Sequence, residues 1–273
     1  MDEVLAPLRK AVVYAEEDYR GIERYAFAGG EAVAFSARSP FKVTVNEDAL
    51  ALIPVGEQSG ILVIADGLGG LPAGEVAART VVSTLQRAVA GMEPGLSLRE
   101  TILDGIERAN AAIMALGTGS ATTVAVVELQ GSMMRSYHVG DSLILLVGQR
   151  GKLKFQSVSH SPVGYAVEAG LLDEAEAVHH EARSVVSNVL GSPEMRIDIG
   201  PALMLAPRDT LLLASDGLPD NLYIDEITAH VKAGPLLVAA ERLVESCRLR
   251  MEVPQPHLPS HPDDLSVILY RCA

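Results

Sequence analysis

The sequence of 273 residues contains no tryptophan, and aromatic residues make up only 4% of it. A core must therefore be built from Val, Leu, Ile and Ala, for which a hydrophobic content of 48% and a mean hydropathy of +0.23 are ample. Cysteine is scarce too, since only Cys247 and Cys272 occur. Two cysteines exclude a disulfide framework and a structural zinc site, and they favour a reducing cytoplasm, where we expect this protein.

Basic residues are in deficit, with 22 Lys and Arg against 35 Asp and Glu and a formal net charge of -13. Nucleic acids and anionic membranes bind clustered basic side chains, so we expect neither as a partner. A phosphorylated substrate would also be repelled unless divalent cations reverse the local field. No apolar run approaches the ~18 residues of a membrane span, and the acidic N-terminus does not resemble a signal peptide.

The stretch from Ile61 to Gly74, ILVIADGLGGLPAG, organises the rest of the chain. Its apolar, β-branched start predicts a buried strand that ends on a carboxylate, Asp66. An unpaired carboxylate in that place costs several kcal/mol, so a cation or a strong partner is expected beside it. The glycines fit neither a dinucleotide-binding turn nor a phosphate-binding P-loop, because Pro72 and Glu75 stand where those motifs need glycine and lysine.

The order of elements predicts an α+β fold, most simply two antiparallel sheets face to face with helix pairs outside. We expect one domain over residues 1–273, with a weak helical pattern and no assigned role for residues 1–30. Short links favour an antiparallel meander through the strands between 120 and 158, and a hairpin of 202–205 with 210–215. The predicted strands are 31–36, 48–55, 61–65, 120–129, 133–139, 143–147, 152–158, 202–205, 210–215 and 265–270. The predicted helices are 73–89, 97–116, 163–169, 224–232 and 235–250.

Five aspartates share the setting of a strand end or a tight turn: Asp48, Asp66, Asp141, Asp216 and Asp263. Any one of them alone is best interpreted as an ordinary turn or cap residue. Five in the same context favour a joint site. Oxygen-only ligands without His or Cys favour Mg²⁺ or Mn²⁺ over Zn²⁺. Two such ions sharing a carboxylate can activate a water for attack on phosphorus.

An ordered series of motifs from about residue 30 to 272 resembles the metal-dependent protein phosphatases, the PPM or type 2C serine/threonine family of bacterial type. The segment 159–192 is similar to the family's flap. The other motifs are NEDA at 46–49, ADGLGG at 65–70, GSATTVAVV at 119–127, HVGDSLILL at 138–146, ASDGLPDNL at 214–222 and DDLSVIL at 263–269.

The resemblance implies a four-layer α-β-β-α sandwich with two Mn²⁺ or Mg²⁺ ions between the sheets and a third, weaker ion at Asp141. It implies that Asp66 bridges both ions, that Gly67 offers its carbonyl, and that Asp216 and Asp263 hold one ion. Asp48 would act largely through water, with Asp220 in support. The expected activity is hydrolysis of phosphoserine and phosphothreonine in proteins, in signalling that involves a cognate Ser/Thr kinase system.

Two departures from the family pattern bear on activity. Val43 stands where the family has a phosphate-binding Arg, and the neighbouring Lys42 is the candidate replacement, although Lys lacks the bidentate fork of Arg. Leu68 stands where animal members have a His that is a proposed proton donor. One alternative is therefore a weakly active or inactive relative that binds phosphoproteins as a regulatory module. Another is hydrolysis of a small phosphorylated metabolite.

Overall fold

A computed structural model of the chain describes residues 5–16, 18, 21–93 and 95–272. The strands are β1 (Val12–Ala15), β2 (Glu23–Phe27), β3 (Gly30–Ala37), β4 (Asp48–Gly56), β5 (Ser59–Asp66), β6 (Val124–Gln130), β7 (Met133–Val139), β8 (Leu143–Val147), β9 (Leu153–Gln156), β10 (Asp198–Ile199), β11 (Leu203–Met204), β12 (Thr210–Ala214) and β13 (Leu265–Cys272). The helices are α1 (Gly74–Ala90), α2 (Leu98–Ala115), α3 (Pro162–Glu168), α4 (Glu174–Ala177), α5 (Ile224–Val231) and α6 (Leu236–Glu252).

The strands form two antiparallel sheets. One has the order β1-β4-β5-β6-β7-β10, with β11 also on β7, and the other has the order β2-β3-β13-β12-β8-β9. We call them the first and the second sheet. Helices α1 and α2 cover the outer face of the first sheet, and α5 and α6 cover the outer face of the second. The predicted four-layer α-β-β-α arrangement is confirmed.

Alternation along single strands produces the layers. In β5, Ile61 and Val63 pack under α1 and α2, whereas Leu62 and Ile64 point into the core between the sheets. Such alternation follows from the two-residue period of a strand. Each fully buried aliphatic side chain contributes about 1.5–3 kcal/mol of transfer free energy, so both faces of these central strands stabilise the sandwich.

Three local predictions are wrong. The helical pattern over 1–30 is replaced by β1 and β2 in its described part, because a short apolar run such as Val12–Ala15 suits an edge strand equally well. The meander breaks at Gly140, where the chain leaves the first sheet and enters the second, so β7 and β8 do not pair. The expected hairpin of 202–205 with 210–215 is absent among the described pairings, since β11 joins β7 and β12 joins β8 and β13.

The remaining elements lie within a few residues of their predicted bounds, and the 159–192 segment carries α3 and α4. Within the described ranges, no helix combines the length and the apolar character that crossing a membrane requires.

Candidate metal centre

The centre of the site is a cross-strand pair of carboxylates. Asp48 begins β4 and lies directly opposite Asp66, which ends β5. The tight pairing of β4 with β5 leaves these two acids at the same end of the first sheet, where the strands stop and the chain turns. Two like charges facing each other across a ladder destabilise a sheet, so a compensating positive charge is expected between them.

The backbone at Asp66 is held from the neighbouring strand. The Asp66 carbonyl accepts bonds from the Thr123 amide at 2.8 Å and from the Thr122 hydroxyl at 2.8 Å. The Asp66 amide donates to the Thr123 hydroxyl at 3.2 Å. A Cβ on Gly67 would come within 2.4 Å of the Gly74 backbone, so only glycine allows α1 to start this close to the loop.

The second sheet brings two further acids to the same end. Asp216 follows β12, and its amide lies 3.4 Å from Asp66 Oδ2. Asp263 precedes β13 at the same end. Burial is the main cause that raises the pKa of both Asp66 and Asp48, and the charge of Asp263 adds to it. Asp66, Asp48, Asp216 and Asp263, joined by Asp141 from the link between β7 and β8, are called the aspartate cluster below.

A buried polar chain that the sequence reasoning missed fixes the rotamer of Asp48. The Ser215 hydroxyl donates to Asp48 Oδ2 at 2.7 Å, and the Ser266 amide donates to the Ser215 hydroxyl at 3.0 Å. The Ser266 hydroxyl bonds that of Ser36, which accepts from the side-chain Nδ2 of Asn46 at 2.9 Å. Serines in or next to buried strands, near an Asp-Gly turn, are a sequence signal for a polar chain, but they do not indicate which carboxylate the chain reaches.

The other oxygen of the same carboxyl is unpaired in the described structure. Asp48 is 2% exposed, and its buried Oδ1 has no hydrogen-bond partner among the residues that the structure describes. A buried carboxylate oxygen left unpaired is costly, since such groups normally find a donor or a cation. The orphaned oxygen, in a set of donors that is entirely oxygen, fits a hard divalent cation with its bound water.

Electrostatics point the same way. Burial, and then the charge of Asp216, raise the pKa of Asp66 well above its ordinary value. Burial also raises the pKa of Asp141 and of Asp216 to about 6, and that of Asp263 to about 7. In Asp216 the Asp141 charge adds to burial, and in Asp263 the Asp216 charge does. The raised pKa values mean that the ionised carboxylates are unfavourable here without a positive charge. A divalent cation among them would stabilise the ionised form.

The turn that carries Asp141 is braced by a histidine. His160 Nδ1 accepts from the Gly140 amide at 3.1 Å and from the Asn188 side chain at 2.8 Å. The opposite nitrogen, Nε2, pairs with Asp198 at 3.0 Å. Through these bonds the turn is tied both to the end of the flap segment and to β10.

His138 stacks on His160 with ring centroids 4.4 Å apart. In the described part of the chain, His138, His160 and Asp198 are the three possible ligands whose atoms lie within 4.8 Å of one another. His138 Nε2 donates to the Val158 carbonyl at 2.9 Å, and His160 Nε2 donates to Asp198. These hydrogen bonds explain why the three side chains lie together. Among the described residues, the carboxylates of the aspartate cluster lie further apart than the ligand atoms of this group.

Lys42 lies at the edge of the cluster and is engaged there. Its ammonium donates to Glu47 at 2.5 Å and to Asp264 at 2.6 Å. Asp264 is almost fully buried and also accepts from the Ser39 amide at 2.8 Å and the Glu47 amide at 2.7 Å. Burial lowers the pKa of Lys42 and the bonds to Asp264 and Glu47 raise it, with a net upward shift. A contact between Lys42 and a substrate would therefore require the ammonium to leave a carboxylate.

Comparison with known proteins identifies the family. A family model described as Protein phosphatase 2C matches residues 42–248, which is most of the chain. The chain belongs to the protein phosphatase 2C family. The family inferred from the ordered motifs is thereby confirmed.

Relatives of this protein phosphatase 2C chain occur in bacteria. Protein phosphatase PhpP of Streptococcus pneumoniae is 32% identical over 196 residues, covering 67% of this chain and 78% of PhpP. The crystal structure of serine/threonine phosphatase Stp1 from Staphylococcus aureus has a TM-score of 0.78 at 25% identity, covering 93% of this chain and 100% of Stp1. The catalytic domain of the serine/threonine protein phosphatase PstP, in complex with two manganese ions, has a TM-score of 0.70 at 25% identity, covering 88% of this chain and 96% of that one.

Proposed function

We propose that this protein is a metal-dependent phosphatase that removes phosphate from phosphoserine and phosphothreonine in proteins. The observation that carries the proposal is the aspartate cluster, which both sheets build at one end of the sandwich and which contains the orphaned Asp48 Oδ1. Membership of the protein phosphatase 2C family and the names of the bacterial relatives support it.

The proposed ligands of two Mn²⁺ or Mg²⁺ ions are Asp66, the Gly67 carbonyl, Asp216 and Asp263, with Asp48 holding water. Asp141 is the proposed ligand of a third, weaker ion. When bound, such cations supply a water of lowered pKa as the nucleophile and neutralise charge on the phosphate. The manganese in the PstP structure supports Mn²⁺ as the first ion to test.

Several protein groups prepare the site before any substrate arrives. The Thr122 and Thr123 bonds fix the backbone from which Asp66 projects, so that its carboxylate needs little reorganisation. Ser215 occupies Asp48 Oδ2 and thereby directs Oδ1 as the free acceptor for a water proton. We propose Asp66 and Asp48 as the catalytic aspartates and retain Lys42 as a candidate phosphate contact that has to exchange partners.

The proposed substrates are phosphorylated proteins, in a signalling system that includes a cognate Ser/Thr kinase, and the proposed compartment is the cytoplasm. We propose that residues 1–273 form one phosphatase domain with a flap over 159–192. The expected N-terminal extension over 1–30 instead contributes β1 and β2 to the two sheets in its described part. PstP is a longer protein, and the match covers 37% of it.

Hydrolysis of p-nitrophenyl phosphate and of a phosphothreonine peptide, with Mn²⁺ and with EDTA, tests the function. We expect manganese-dependent turnover that falls by at least about 100-fold in Asp66→Asn, since a central charge is removed from the reacting site. Asp104→Asn is the matched control, because Asp104 lies on the exposed face of α2 beside Arg108. Equal rates for the wild type and Asp66→Asn would refute the proposed function.

A further inference from the structure

The aspartate cluster poses a charge problem for a phosphate ester. A substrate dianion has to approach several carboxylates in a chain of net charge -13. Cations at the cluster would reduce this repulsion. Enzymes that bind phosphate usually also place a guanidinium or an ammonium beside the phosphate group. The position of that group decides how substrate is held.

The two residues first considered for this role are poorly suited. Val43 is apolar and 92% exposed, so it offers nothing to a phosphate. Lys42 already neutralises Asp264 and Glu47 with short ion pairs. Using Lys42 would leave the buried Asp264 without its cation, which is expensive for a buried charge.

Arg183, in the flap segment between α4 and β10, is placed differently. Its guanidinium pairs with Asp220, and its side chain is 11% exposed. It lines a cavity of about 310 Å³ whose wall also includes Asp141 and Asp216 from the aspartate cluster. Burial lowers the pKa of Arg183, and the charges of Asp216, Asp141 and Asp263 oppose that shift. The flap therefore places the buried positive charge of Arg183 beside the aspartate cluster.

The surroundings of Arg183 keep the flap at the cluster. The Arg183 amide donates to the His180 carbonyl at 3.1 Å, within a run of turns that follows α4. His179 from the same run lies 3.3 Å from the Tyr223 hydroxyl. Tyr223 also lines the cavity, so this contact holds the flap against the cavity wall.

We propose that Arg183 of the flap binds the phosphate group of the substrate and takes the place of the guanidinium that position 43 lacks. The inference rests on the proposed function. A guanidinium has five donors in a planar fork that matches two phosphate oxygens, and pairing with Asp220 uses only part of them. Without substrate, the guanidinium pairs with Asp220. With substrate, its remaining N–H groups donate to the phosphate, and this contact connects the flap to the substrate.

Kinetics of Arg183→Ala and Arg183→Lys with a phosphothreonine peptide and Mn²⁺ test this role. We expect KM to rise about tenfold or more in Arg183→Ala, by loss of a charge-assisted bidentate contact, with a smaller change in kcat. Arg183→Lys keeps the charge but loses the planar fork, so its KM should lie between those of the wild type and Arg183→Ala. The inhibition constant of inorganic phosphate should rise in parallel.

Binding provides a readout apart from turnover. A fluorescent phosphopeptide should bind the Asp66→Asn variant at least about tenfold more tightly than Asp66→Asn combined with Arg183→Ala. Arg250→Ala is the matched control, since Arg250 is an equally buried arginine that pairs with Glu226 at 2.8 Å away from the cavity. Thermal melting checks that each variant is folded, and Arg183→Gln replaces Arg183→Ala should the latter unfold.

The outcomes separate the two proposals. Manganese-dependent hydrolysis by the wild type, together with an unchanged KM and phosphate inhibition constant in Arg183→Ala, would refute the role of Arg183 and leave the function standing. An equal rise in KM in Arg250→Ala would likewise refute it, because the effect would then reflect stability. A wild-type protein without hydrolysis would overturn the function, and this inference with it.

Discussion

Removal of the Asp264 carboxylate gives the sharpest test of how the edge of the site is built. Asp264 is 3% exposed and accepts three short bonds, from the Ser39 amide, the Glu47 amide and the Lys42 ammonium. Asp264 brings a buried negative charge that Lys42 balances. Asp264→Ala removes all three acceptor contacts, and Asp264→Asn removes the charge and keeps one acceptor.

The expected cost follows from the number of orphaned donors. A hydrogen bond to a charged group contributes about 1.5–3 kcal/mol, and a buried donor left alone costs about 1–3 kcal/mol. Two backbone amides lose their acceptor in Asp264→Ala while Lys42 keeps Glu47, so we expect a loss of about 3–5 kcal/mol in unfolding free energy. Asp264→Asn should cost about 1–2 kcal/mol, because one acceptor stays and the pKa of Asp48 is no longer raised by this neighbour.

Urea unfolding at neutral pH, with Mn²⁺ and with EDTA, measures these values. A double-mutant cycle with Lys42→Met isolates the Lys42 and Asp264 pair, for which we expect a coupling of about 1–2 kcal/mol. A loss below about 1 kcal/mol in Asp264→Ala would refute the reasoning, given the usual cost of orphaned donors. The same Lys42→Met variant tests the catalytic role of Lys42, because a phosphate contact predicts a higher KM and a purely positioning role does not.

Three further predictions concern pH, close packing and the Asp141 turn. Because the pKa values of the aspartate cluster are raised to about 6 or 7 at three positions, the folded metal-free protein binds more protons than the unfolded chain. These acids should therefore stabilise the metal-free fold most below about pH 4 and progressively less towards pH 7, and Mn²⁺ should remove this fall; a rise in unfolding free energy between pH 4 and pH 7 in EDTA would contradict this. Gly217→Ala places a Cβ 2.1 Å from the Asp264 carbonyl and should cost about 3 kcal/mol in chemical unfolding, whereas Gly69→Ala, with nothing within 4 Å, should be near neutral. His160→Ala should cost about 2 kcal/mol by orphaning the Gly140 amide, and His180→Ala, on an exposed ring, should leave the melting temperature unchanged; equal effects would refute the bracing role.

The layers and the acids were predictable because their signals are local. A β-branched run followed by Asp-Gly specifies both β5 and the position of Asp66, and the same arrangement recurs at Asp216. Two-residue alternation in these strands then divides the apolar side chains between the helices and the core between the sheets. Once the end of such a strand is predicted, the position of the acid at that end is predicted with it.

Pairing between distant strands was not predictable in the same way. A three-residue link such as Gly140 to Ser142 closes a hairpin or carries the chain across the space of about 10 Å between two sheets, and the local sequence is compatible with both. β1 and β11 are short edge strands whose partners, β4 and β7, lie far along the chain. Their pairing depends on the arrangement of the whole sheet, so a local sequence pattern does not predict it.

The site residues that the sequence did not reveal act across the fold. Ser215 and Ser36 look like ordinary small residues in apolar strands, and only the contact of β12, β13 and β3 shows that they lead to Asp48. Arg183 stands in an irregular segment without periodicity, and its partner Asp220 is 37 positions away. Such a pair leaves no pattern of spacing to detect.

Calorimetric titration of the metal-free protein with Mn²⁺, beside Asp66→Asn and Asp216→Asn, tests the central claim most directly. The claim is that the aspartate cluster binds divalent cations. We predict at least two manganese ions bound per wild-type chain and the loss of one or more in each variant, with all three proteins folded. A folded wild-type protein that gives no heat with manganese, or variants that bind as many ions as the wild type, would contradict it.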